Sequence, residues 1–226
     1  MAKAVIFDVD GTLIDSVDLH AKAWQDAFRD FGHDVDFDVI RSQIGKGGDQ
    51  LMPVFLSETE LAKRGKEIEK HRGEVLRKQY LHRITAFPKV RELFERLQAD
   101  GRQVALASSA KQDELAKYKE IAGIDDLIQV ETSSDDAEKS KPYPDIFQAA
   151  MHRLGDMPAG QVLVVGDTPY DAEAAAKAGL RTIGLLCGGF SEESLKKAGC
   201  VAIYKDPADL LRHYDQSPIV SGVAAA

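Results

Sequence analysis

Apolar positions near the start of the chain are spaced first as a buried strand and then as an amphipathic helix. Residues 4–7 are uniformly apolar and are followed by a glycine turn, which is typical of a short buried strand. Between Asp15 and Phe31 apolar residues recur every three or four positions, and Gly32 comes next. This spacing predicts a helix that ends at the glycine.

The region from 37 to 80 shows no strand pattern. Helices are predicted over 37–44, 50–56 and 58–80, separated by Gly-Lys-Gly-Gly at 45–48 and by Ser57. The last of them is rich in Lys, Arg and Glu between 58 and 78. We interpret it as a solvated helix with charge pairs along its surface, since it would suit nucleic acid only if its basic residues outweighed its acids on one face.

After residue 87 helical and strand patterns alternate. Helices are predicted over 89–99, 111–122, 144–154 and 171–178, and strands over 103–107, 127–130, 162–165 and 182–186. Alternation of this kind predicts an α/β fold with a parallel, Rossmann-like sheet covered by helices on both faces. We expect one domain from 1–15 and 88–226, a smaller all-α domain from 16–87 inserted over the carboxyl ends of the strands, and a frayed tail over 217–226.

Composition narrows the class of protein. The chain has 226 residues, 44% of them hydrophobic and 29% charged, as in ordinary globular proteins. A net charge of −8 argues against a nucleic-acid partner but is compatible with a locally basic pocket for a small phosphate ester. No stretch approaches the roughly 18 apolar residues that cross a bilayer, and no signal-type segment opens the chain, so we expect a cytoplasmic protein.

Cysteine and histidine patterns give no sign of zinc or of a disulfide framework. Only Cys187 and Cys200 are present, with no Cys-x-x-Cys spacing, and the six histidines contain no His-Glu-x-x-His pattern. Any metal is therefore expected to bind to carboxylates.

Polar side chains follow the predicted strands at the edge where open α/β sheets hold ligands. Each one alone could be a turn residue, a helix cap or a solvated lysine. Together they predict a site for a divalent cation and a phosphoryl group. They are Asp8, Asp10, Ser108, Lys141, Asp167 and Asp171.

The residue types suit phosphoryl transfer. An aspartate carboxylate can attack phosphorus and split hydrolysis into two displacements. Mg²⁺ would offset the repulsion between that carboxylate and the phosphate, while a lysine and a hydroxyl hold the other phosphoryl oxygens. A second carboxyl can protonate the leaving oxygen and later deprotonate the attacking water.

Four motifs resemble those of the haloacid dehalogenase superfamily. They are Asp-x-Asp-Gly-Thr-Leu-x-Asp-Ser from residue 8, the strand that ends at Ser108, Lys-Pro-x-Pro-Asp-x-Phe from residue 141, and Gly-Asp-x-x-x-Asp at 166–171. Their order and spacing resemble the branch of phosphoglycolate phosphatases and β-phosphoglucomutases, whose members carry a helical cap between the first two motifs.

The resemblance implies a role for each matching residue. Asp8 would be the nucleophile and Asp10 the general acid and base. Mg²⁺ would be held by the Asp8 carboxylate, the Asp10 backbone carbonyl and Asp167, with Asp171 supporting or joining the ligands.

Phosphoryl binding and subtype follow from the same motifs. Lys141 and Ser108 would hold the phosphoryl group, together with Gly11, Thr12 and Ser109. Haloacid dehalogenases proper lack the second aspartate of the first motif, so Asp10 favours phosphoryl transfer. The fourth motif is closer to that of the phosphatases than to the adjacent acids of the mutases.

Two residues of the predicted cap are candidates for substrate contact. His20 lies where the sugar phosphomutases carry a histidine, and would contact substrate or gate its entry; the alternative is a surface or packing residue. Lys46, in the glycine-rich loop 44–49, falls where the family places a specificity loop and could meet an anionic group of the substrate. The alternative is a flexible connection with an exposed lysine.

Three functions remain open from the sequence. The first is a Mg²⁺-dependent phosphatase of a small phosphate monoester that works through an aspartyl-phosphate. The second is a β-phosphoglucomutase-like enzyme, and the third is a non-catalytic sensor of a phosphate ligand. In each case the expected partner is a small molecule, without nucleic acid or membrane, and the protein is expected to be a monomer or a homodimer.

Overall fold

The computed structural model describes residues 1–222. Over these residues the strands form a six-stranded sheet and a separate two-stranded ladder. The strands are β1 Ala4–Phe7, β2 Ile14–Asp15, β3 Thr85–Ala86, β4 Gln103–Ala107, β5 Val130–Thr132, β6 Val162–Gly166, β7 Arg181–Leu185 and β8 Ala202–Tyr204.

The large sheet is parallel throughout, in the order β5-β4-β1-β6-β7-β8. In the centre, Val5 of β1 lies opposite Val104 of β4 and Leu163 of β6. After β1 the chain first forms β4 and β5 on one side of this strand and then β6, β7 and β8 on the other side. The strand order therefore reverses at β1, and a crevice forms beyond the carboxyl end of that strand. The predicted Rossmann-like α/β fold is confirmed.

Helices cover both faces of this sheet and fill the stretch between β2 and β3. They are α1 Val17–Asp30, α2 Phe37–Arg41, α3 Gly48–Leu51, α4 Glu58–Val75, α5 Val90–Ala99, α6 Gln112–Ala122, α7 Asp145–Arg153, α8 Pro169–Lys177, α9 Glu192–Lys197, α10 Pro207–Arg212 and α11 Pro218–Ser221. A π-helical turn, Leu76–Tyr80, continues α4. None of the helices in the described part is both long and apolar enough to cross a membrane.

Successive side chains of β1 pack alternately into two separate hydrophobic cores, one on each face of the sheet. Phe7 points to one face and packs near Phe94 of α5, with their rings 4.7 Å apart. Ile6 points to the other face, in a cluster with Phe147 of α7 and Val164 of β6. Because both faces of β1 are buried, its sequence is uniformly apolar instead of alternating.

The helices between β2 and β3 have a hydrophobic core of their own. It is built around Trp24 and Phe28 of α1, which stack with ring centroids 5.4 Å apart, and it includes Ile68 of α4. The β2–β3 ladder, with Ile14 opposite Ala86, lies where the chain leaves the large sheet and returns to it. We propose that residues 16–87 form the inserted cap and that 1–15 with 88–226 form the main domain.

The end of the described chain is not frayed as expected. Ser217 and Ile219 are fully buried, and the backbone N–H of Ala2 donates to the carbonyl of Ile219 at 3.1 Å. The apolar side chains of this segment pack on the core beside Tyr214. The small and only weakly apolar residues of the tail did not indicate this packing. The rest of that prediction, 223–226, lies outside the described residues.

Several predicted elements have different bounds. The strand expected at 127–130 is found at Val130–Thr132, because Asp125–Leu127 forms a 3₁₀ turn that packs Leu127 into the core. The helix expected over 37–44 ends at Arg41.

Candidate active site

Two motif residues follow β1 directly and meet a third across the sheet. The N–H of Asp8 donates to the carbonyl of Val165 in β6 at 2.9 Å, which continues the strand pairing. The Thr12 hydroxyl lies 3.0 Å from Asp8 Oδ2 and 2.9 Å from Asp167 Oδ1. One hydroxyl group therefore joins the acids that end two neighbouring strands.

Lys141 places a buried cation beside these acids. Its Nζ atom lies 2.5 Å from Asp8 Oδ1, 2.7 Å from Asp171 Oδ1 and 3.1 Å from the carbonyl oxygen of Ala107. The contacts with Asp8 and Ala107 are hydrogen bonds, and the contact with Asp171 is an ion pair. Burial alone would lower the pKa of Lys141, but Asp171 and Asp8 outweigh it and raise that pKa above its ordinary value.

Asp171 is fixed from both sides. Its Oδ2 accepts hydrogen bonds from the N–H of Thr168 at 3.0 Å and from the Thr168 hydroxyl at 2.6 Å, which caps the first turn of α8. Its Oδ1 faces Lys141. That oxygen is in an ion pair with the ammonium group but has no hydrogen-bond partner among residues 1–222, so Asp171 supports Lys141 and still offers an oxygen to the acidic cluster.

Asp8, Asp167 and Asp171 form a buried acidic cluster that could hold a cation. Each offers a carboxylate oxygen, and these atoms lie within 4.8 Å of one another. Burial, followed by the neighbouring acids, raises the pKa of Asp167 well above its ordinary value. Burial likewise raises the pKa of Asp8 to about 7 against the pull of Lys141.

The donor atoms of this cluster fit a hard cation. Asp167 Oδ2 is buried and has no hydrogen-bond partner among residues 1–222. Carboxylate oxygens are the ligands that Mg²⁺ prefers, and a divalent cation would relieve both the unpaired oxygen and the repulsion between the acids.

Two glycines leave the room that the Asp167 carboxylate occupies. A Cβ atom placed on Gly188 would lie 1.6 Å from Asp167 Oδ2, and one placed on Gly11 would lie 2.4 Å from it. Gly11 also has a φ of +81°, which favours glycine. Any side chain at either position would displace the acid.

Asp10 has surroundings unlike those of Asp8. Its Oδ1 accepts hydrogen bonds from Ser16 Oγ at 2.7 Å and from His20 Nε2 at 2.8 Å. Burial would raise the pKa of Asp10, but His20 and then Ser16 outweigh that effect and lower it. The two acids of the first motif therefore have pKa values shifted in opposite directions.

His20 is buried at the start of α1 and belongs to this group of contacts. Its Nε2 also lies 3.1 Å from the Tyr118 hydroxyl, and the two rings meet edge to face. Of the alternative, a surface or packing residue, the surface position is therefore wrong and the packing role stays open. A contact of His20 with substrate stays a prediction.

A cavity opens above Asp8 and Asp10. One side is formed by residues of the predicted cap, the other by the start of α6 and the loop before it. The cavity lining includes His20, Trp24, Lys46, Glu69, Arg72, Ser109 and Glu114.

The predicted phosphate-binding residues take different positions. Ser108 is fully buried, and its Oγ accepts the N–H of Ala110 at 3.0 Å; Ser109, the next residue, lines the cavity. Lys46 also lines the cavity, but its Nζ donates to Gln43 Oε1 at 2.6 Å and lies 4.6 Å from the centre of the Tyr170 ring. Burial lowers the pKa of Lys46.

Direct contacts join the predicted cap to the loops that carry the motifs. Arg41 of α2 donates to the carbonyl of Gly188 at 3.2 Å, and the Tyr170 hydroxyl donates to the carbonyl of Ser42 at 2.7 Å. We call this boundary between the predicted cap and the motif loops the glycine seam. A Cβ atom on Gly45 would lie 2.7 Å from Thr168, and one on Gly47 would lie 2.0 Å from Ser140. The two parts of the chain therefore meet at glycines.

Arg72 and Glu69 were not predicted to reach the site, because α4 was interpreted as solvated. Gly65, Ile68 and Val75 are buried on one face of this helix. Arg72 follows Ile68 by four positions and precedes Val75 by three, so it lies on that same face. This spacing is the signal in the sequence that would have placed Arg72 toward the interior.

Comparison with known proteins agrees with this geometry. The haloacid dehalogenase-like hydrolase family matches residues 5–185. The phosphorylated carbohydrates phosphatase of Thermotoga maritima is 27% identical over 210 residues, covering 92% of this chain and 96% of the relative. The phosphoglycolate phosphatase of Aliivibrio fischeri is 30% identical over 193 residues, covering 82% and 85% of the two chains.

A solved structure shows the same fold. A hydrolase from Pseudomonas syringae superposes with a TM-score of 0.88 at 31% identity, covering 95% of this chain and 98% of the other. The chain belongs to the haloacid dehalogenase-like hydrolase family, in the branch of phosphoglycolate phosphatases and β-phosphoglucomutases. It is a phosphatase of that family.

Proposed function

We propose that the protein is a Mg²⁺-dependent phosphatase that hydrolyses a small phosphate monoester through an aspartyl-phosphate. The observation that carries this proposal is the contrast between Asp8 and Asp10. Asp8 lies in the acidic cluster beside Lys141, whereas Asp10 is bonded to Ser16 and His20. One acid is thus set for attack beside a cation and the other for proton transfer.

In the first displacement, a carboxylate oxygen of Asp8 attacks phosphorus. A bond forms between that oxygen and phosphorus, and the bond from phosphorus to the ester oxygen breaks. Asp10 gives a proton to the departing oxygen, which leaves as an alcohol. The 2.8 Å contact between His20 Nε2 and Asp10 Oδ1 can hold the proton that Asp10 passes on.

In the second displacement, a water molecule attacks phosphorus of the aspartyl-phosphate. Asp10, now a carboxylate, takes a proton from that water, and the bond between phosphorus and the Asp8 oxygen breaks. Inorganic phosphate leaves and the Asp8 carboxylate is restored. The lowered pKa of Asp10 suits this step, because it keeps the base unprotonated.

The remaining motif residues would bind Mg²⁺ and the phosphoryl group and neutralise their charges. Mg²⁺ would be held by the Asp8 carboxylate, the Asp10 backbone carbonyl and Asp167, supported by Asp171, and it would neutralise charge between nucleophile and phosphate. Lys141 would pair with a phosphoryl oxygen while it stays bonded to the acids. We propose that Ser108, Ser109, Gly11 and Thr12 complete the phosphoryl site.

Replacement of Asp8 tests the proposal. Asp8→Asn should abolish phosphate release from a panel of small phosphate esters at saturating Mg²⁺ and leave the fold intact by circular dichroism. Asp34→Asn, at an exposed position outside the four motifs, is the matched control and should keep full activity. Wild-type turnover by Asp8→Asn, or full activity of the unaltered enzyme in chelator, would refute the mechanism.

The same assay separates the other functions. A mutase would form isomerised sugar phosphate faster than free phosphate, and a ligand sensor would form neither. Cytoplasmic location and the monomeric or homodimeric state stay predictions from the sequence.

A further inference from the structure

A buried tyrosine of α6 has the site histidine as its polar partner. Tyr118 is fully buried, and its hydroxyl oxygen lies 3.1 Å from His20 Nε2. This hydroxyl has no other hydrogen-bond partner within residues 1–222. Burial, and then the charge of Asp10, raises the pKa of Tyr118 well above its ordinary value, so the hydroxyl keeps its proton. An uncharged hydroxyl group is thus directed at the histidine that contacts Asp10.

The core of the large sheet holds Tyr118 in place. Its ring belongs to the same hydrophobic cluster as Ile14 of β2 and Leu19 of α1. Glu114, four positions earlier on the same face of α6, lies 3.6 Å from Arg72 of α4. Both apolar packing and an ion pair therefore fix the face of α6 from which the tyrosine projects.

His20 comes from the other side of this contact, on the first helix of the predicted cap. Its Nε2 atom has two oxygens within hydrogen-bond distance, Asp10 Oδ1 at 2.8 Å and the Tyr118 hydroxyl at 3.1 Å. The rings of His20 and Tyr118 meet edge to face, with an angle of 84° between their planes. His20 Nδ1 has no hydrogen-bond partner in the described part of the chain. The polar contacts that fix the rotation of the imidazole here are thus those with Asp10 and Tyr118.

We propose that Tyr118 is a positioning residue for the reaction, and that its hydroxyl holds the imidazole of His20 with Nε2 facing Asp10. This inference rests on the proposed function, in which Asp10 first gives a proton to the leaving oxygen and later takes one from water. A hydroxyl can donate to a bare ring nitrogen and can accept from a protonated one. Tyr118 can therefore hold His20 in both displacements.

Packing alone would not account for the hydroxyl group of Tyr118. Burying a hydroxyl away from water is unfavourable unless it finds a partner, and phenylalanine would fill nearly the same space without that cost. The partner that the hydroxyl finds is the ring nitrogen that faces Asp10. The hydroxyl, and not the ring, is therefore the part of Tyr118 that acts on the site.

Nitrogen NMR of protein labelled at histidine tests the contact apart from turnover. The signal of His20 Nε2 is assigned by its loss in His20→Ala. In Tyr118→Phe this signal should shift, because a hydrogen bond to the nitrogen is removed, while the signals of the other five histidines stay in place. Tyr214→Phe is the matched control, because it removes the hydroxyl of another buried tyrosine, which bonds to Arg102, and it should leave the His20 signal unmoved.

Two esters of similar shape test whether the contact serves proton transfer. Phenyl phosphate releases a basic oxygen that needs a proton, whereas p-nitrophenyl phosphate releases a much weaker base that can leave without one. In Tyr118→Phe, kcat/KM for phenyl phosphate should fall by about threefold to tenfold, as for loss of one hydrogen bond between uncharged groups. The value for p-nitrophenyl phosphate should change little, and Tyr214→Phe should change neither.

A double-mutant cycle shows whether Tyr118 acts through His20. In the His20→Ala background, adding Tyr118→Phe should cause no further fall in kcat/KM for phenyl phosphate, because the nitrogen that the hydroxyl holds is absent. A residue that only supports the fold would lower the rate by the same factor in both backgrounds.

The outcomes separate this inference from the proposed function. An unmoved His20 signal in folded Tyr118→Phe, equal losses with the two esters, or the same loss in the His20→Ala background overturns the inference. If Tyr118→Phe does not fold, the unaltered protein decides, because absence of a nuclear Overhauser cross-peak between the two rings overturns the inference and its presence supports it. If the His20 signal shifts but the unaltered enzyme releases no phosphate from any ester, the proposed function fails and the positioning of His20 by Tyr118 stands.

Discussion

His20 Nε2 lies 2.8 Å from Asp10 Oδ1, and both side chains are largely shielded from solvent. The contact joins the first helix of the predicted cap to the acid that we propose transfers protons. It lowers the pKa of Asp10, so His20 is expected to set the pH at which that acid works.

Replacing His20 should therefore change both rate and pH dependence. In His20→Ala the pKa of Asp10 should rise. Because Asp10 must be protonated to act in the first displacement, the alkaline limb of the profile of kcat/KM against pH should move to higher pH. We expect kcat to fall by about tenfold to a hundredfold, at the lower end of what a proton-transfer group contributes. His33→Ala removes a histidine paired with Glu60 and is the control. An unmoved alkaline limb in His20→Ala would contradict the role of His20.

Lys141 should be as important to folding as to catalysis. Lys141→Met leaves Asp8 and Asp171 buried without their shared cation, and breaking a buried pair in this way costs about 3–5 kcal/mol in free energy of unfolding. Urea unfolding of the metal-free protein measures the loss. Lys139→Met, at an exposed position two residues away, should change it little. Equal stability of the two variants would show that Lys141 does not hold the acids together.

Metal-free protein should lose stability as the pH rises. The pKa of Asp8 is about 7 in the folded chain against an ordinary 3.8, so between these values the folded state binds more protons than the unfolded state. Stability therefore falls with rising pH across that window, and Asp167, whose pKa is raised as well, adds to the fall. Mg²⁺ replaces the protons, so it should raise Tm more at pH 8 than at pH 6.

Thermal unfolding in chelator and in Mg²⁺, at constant ionic strength, checks this expectation. The Asp8→Asn variant should show a shallower dependence of Tm on pH, because its amide does not titrate. A metal-free Tm that increases from pH 6 to pH 8 would contradict the raised pKa of Asp8.

Gly188 offers a sharp test of the cation site. In Gly188→Ala the new methyl group would lie 1.6 Å from Asp167 Oδ2, so the carboxylate must move. We expect Mg²⁺ affinity, measured by the activation of turnover, to fall by about tenfold or more, as for loss of a supporting contact to a metal ligand. Gly160→Ala, where a Cβ atom meets nothing within 4 Å, should bind Mg²⁺ normally. Equal activation of both variants would place the cation elsewhere.

The sequence predicted the centre of the fold better than its edges. β1 and β6 are buried on both faces, so their uniformly apolar runs could not be mistaken, and parallel strands bring Asp8 and Asp167 to one edge. β8 was missed because it is a half-buried edge strand of three residues with one neighbour, and its sequence carries little pattern.

The cavity wall was less predictable than the motif residues. Asp8, Asp10 and Lys141 belong to motifs, whereas Arg72 and Glu114 come from helices that look like ordinary charged surface. A charged residue that pairs along its own helix and one that pairs with another helix look alike in the sequence. The partner of Arg72 is 42 positions away, so no local spacing reveals the pair. Only packing of α4 against the rest of the chain separates the two arrangements.

The glycine seam between the predicted cap and the motif loops limits how such proteins can exchange parts. Gly45 and Gly47 on one side, and Gly188 on the other, leave no space for a side chain against Thr168, Ser140 and Asp167. A segment 16–87 transplanted from a relative would fit only if it carried small residues at the positions of Gly45 and Gly47. New specificities built by recombination must therefore inherit this seam along with the cap.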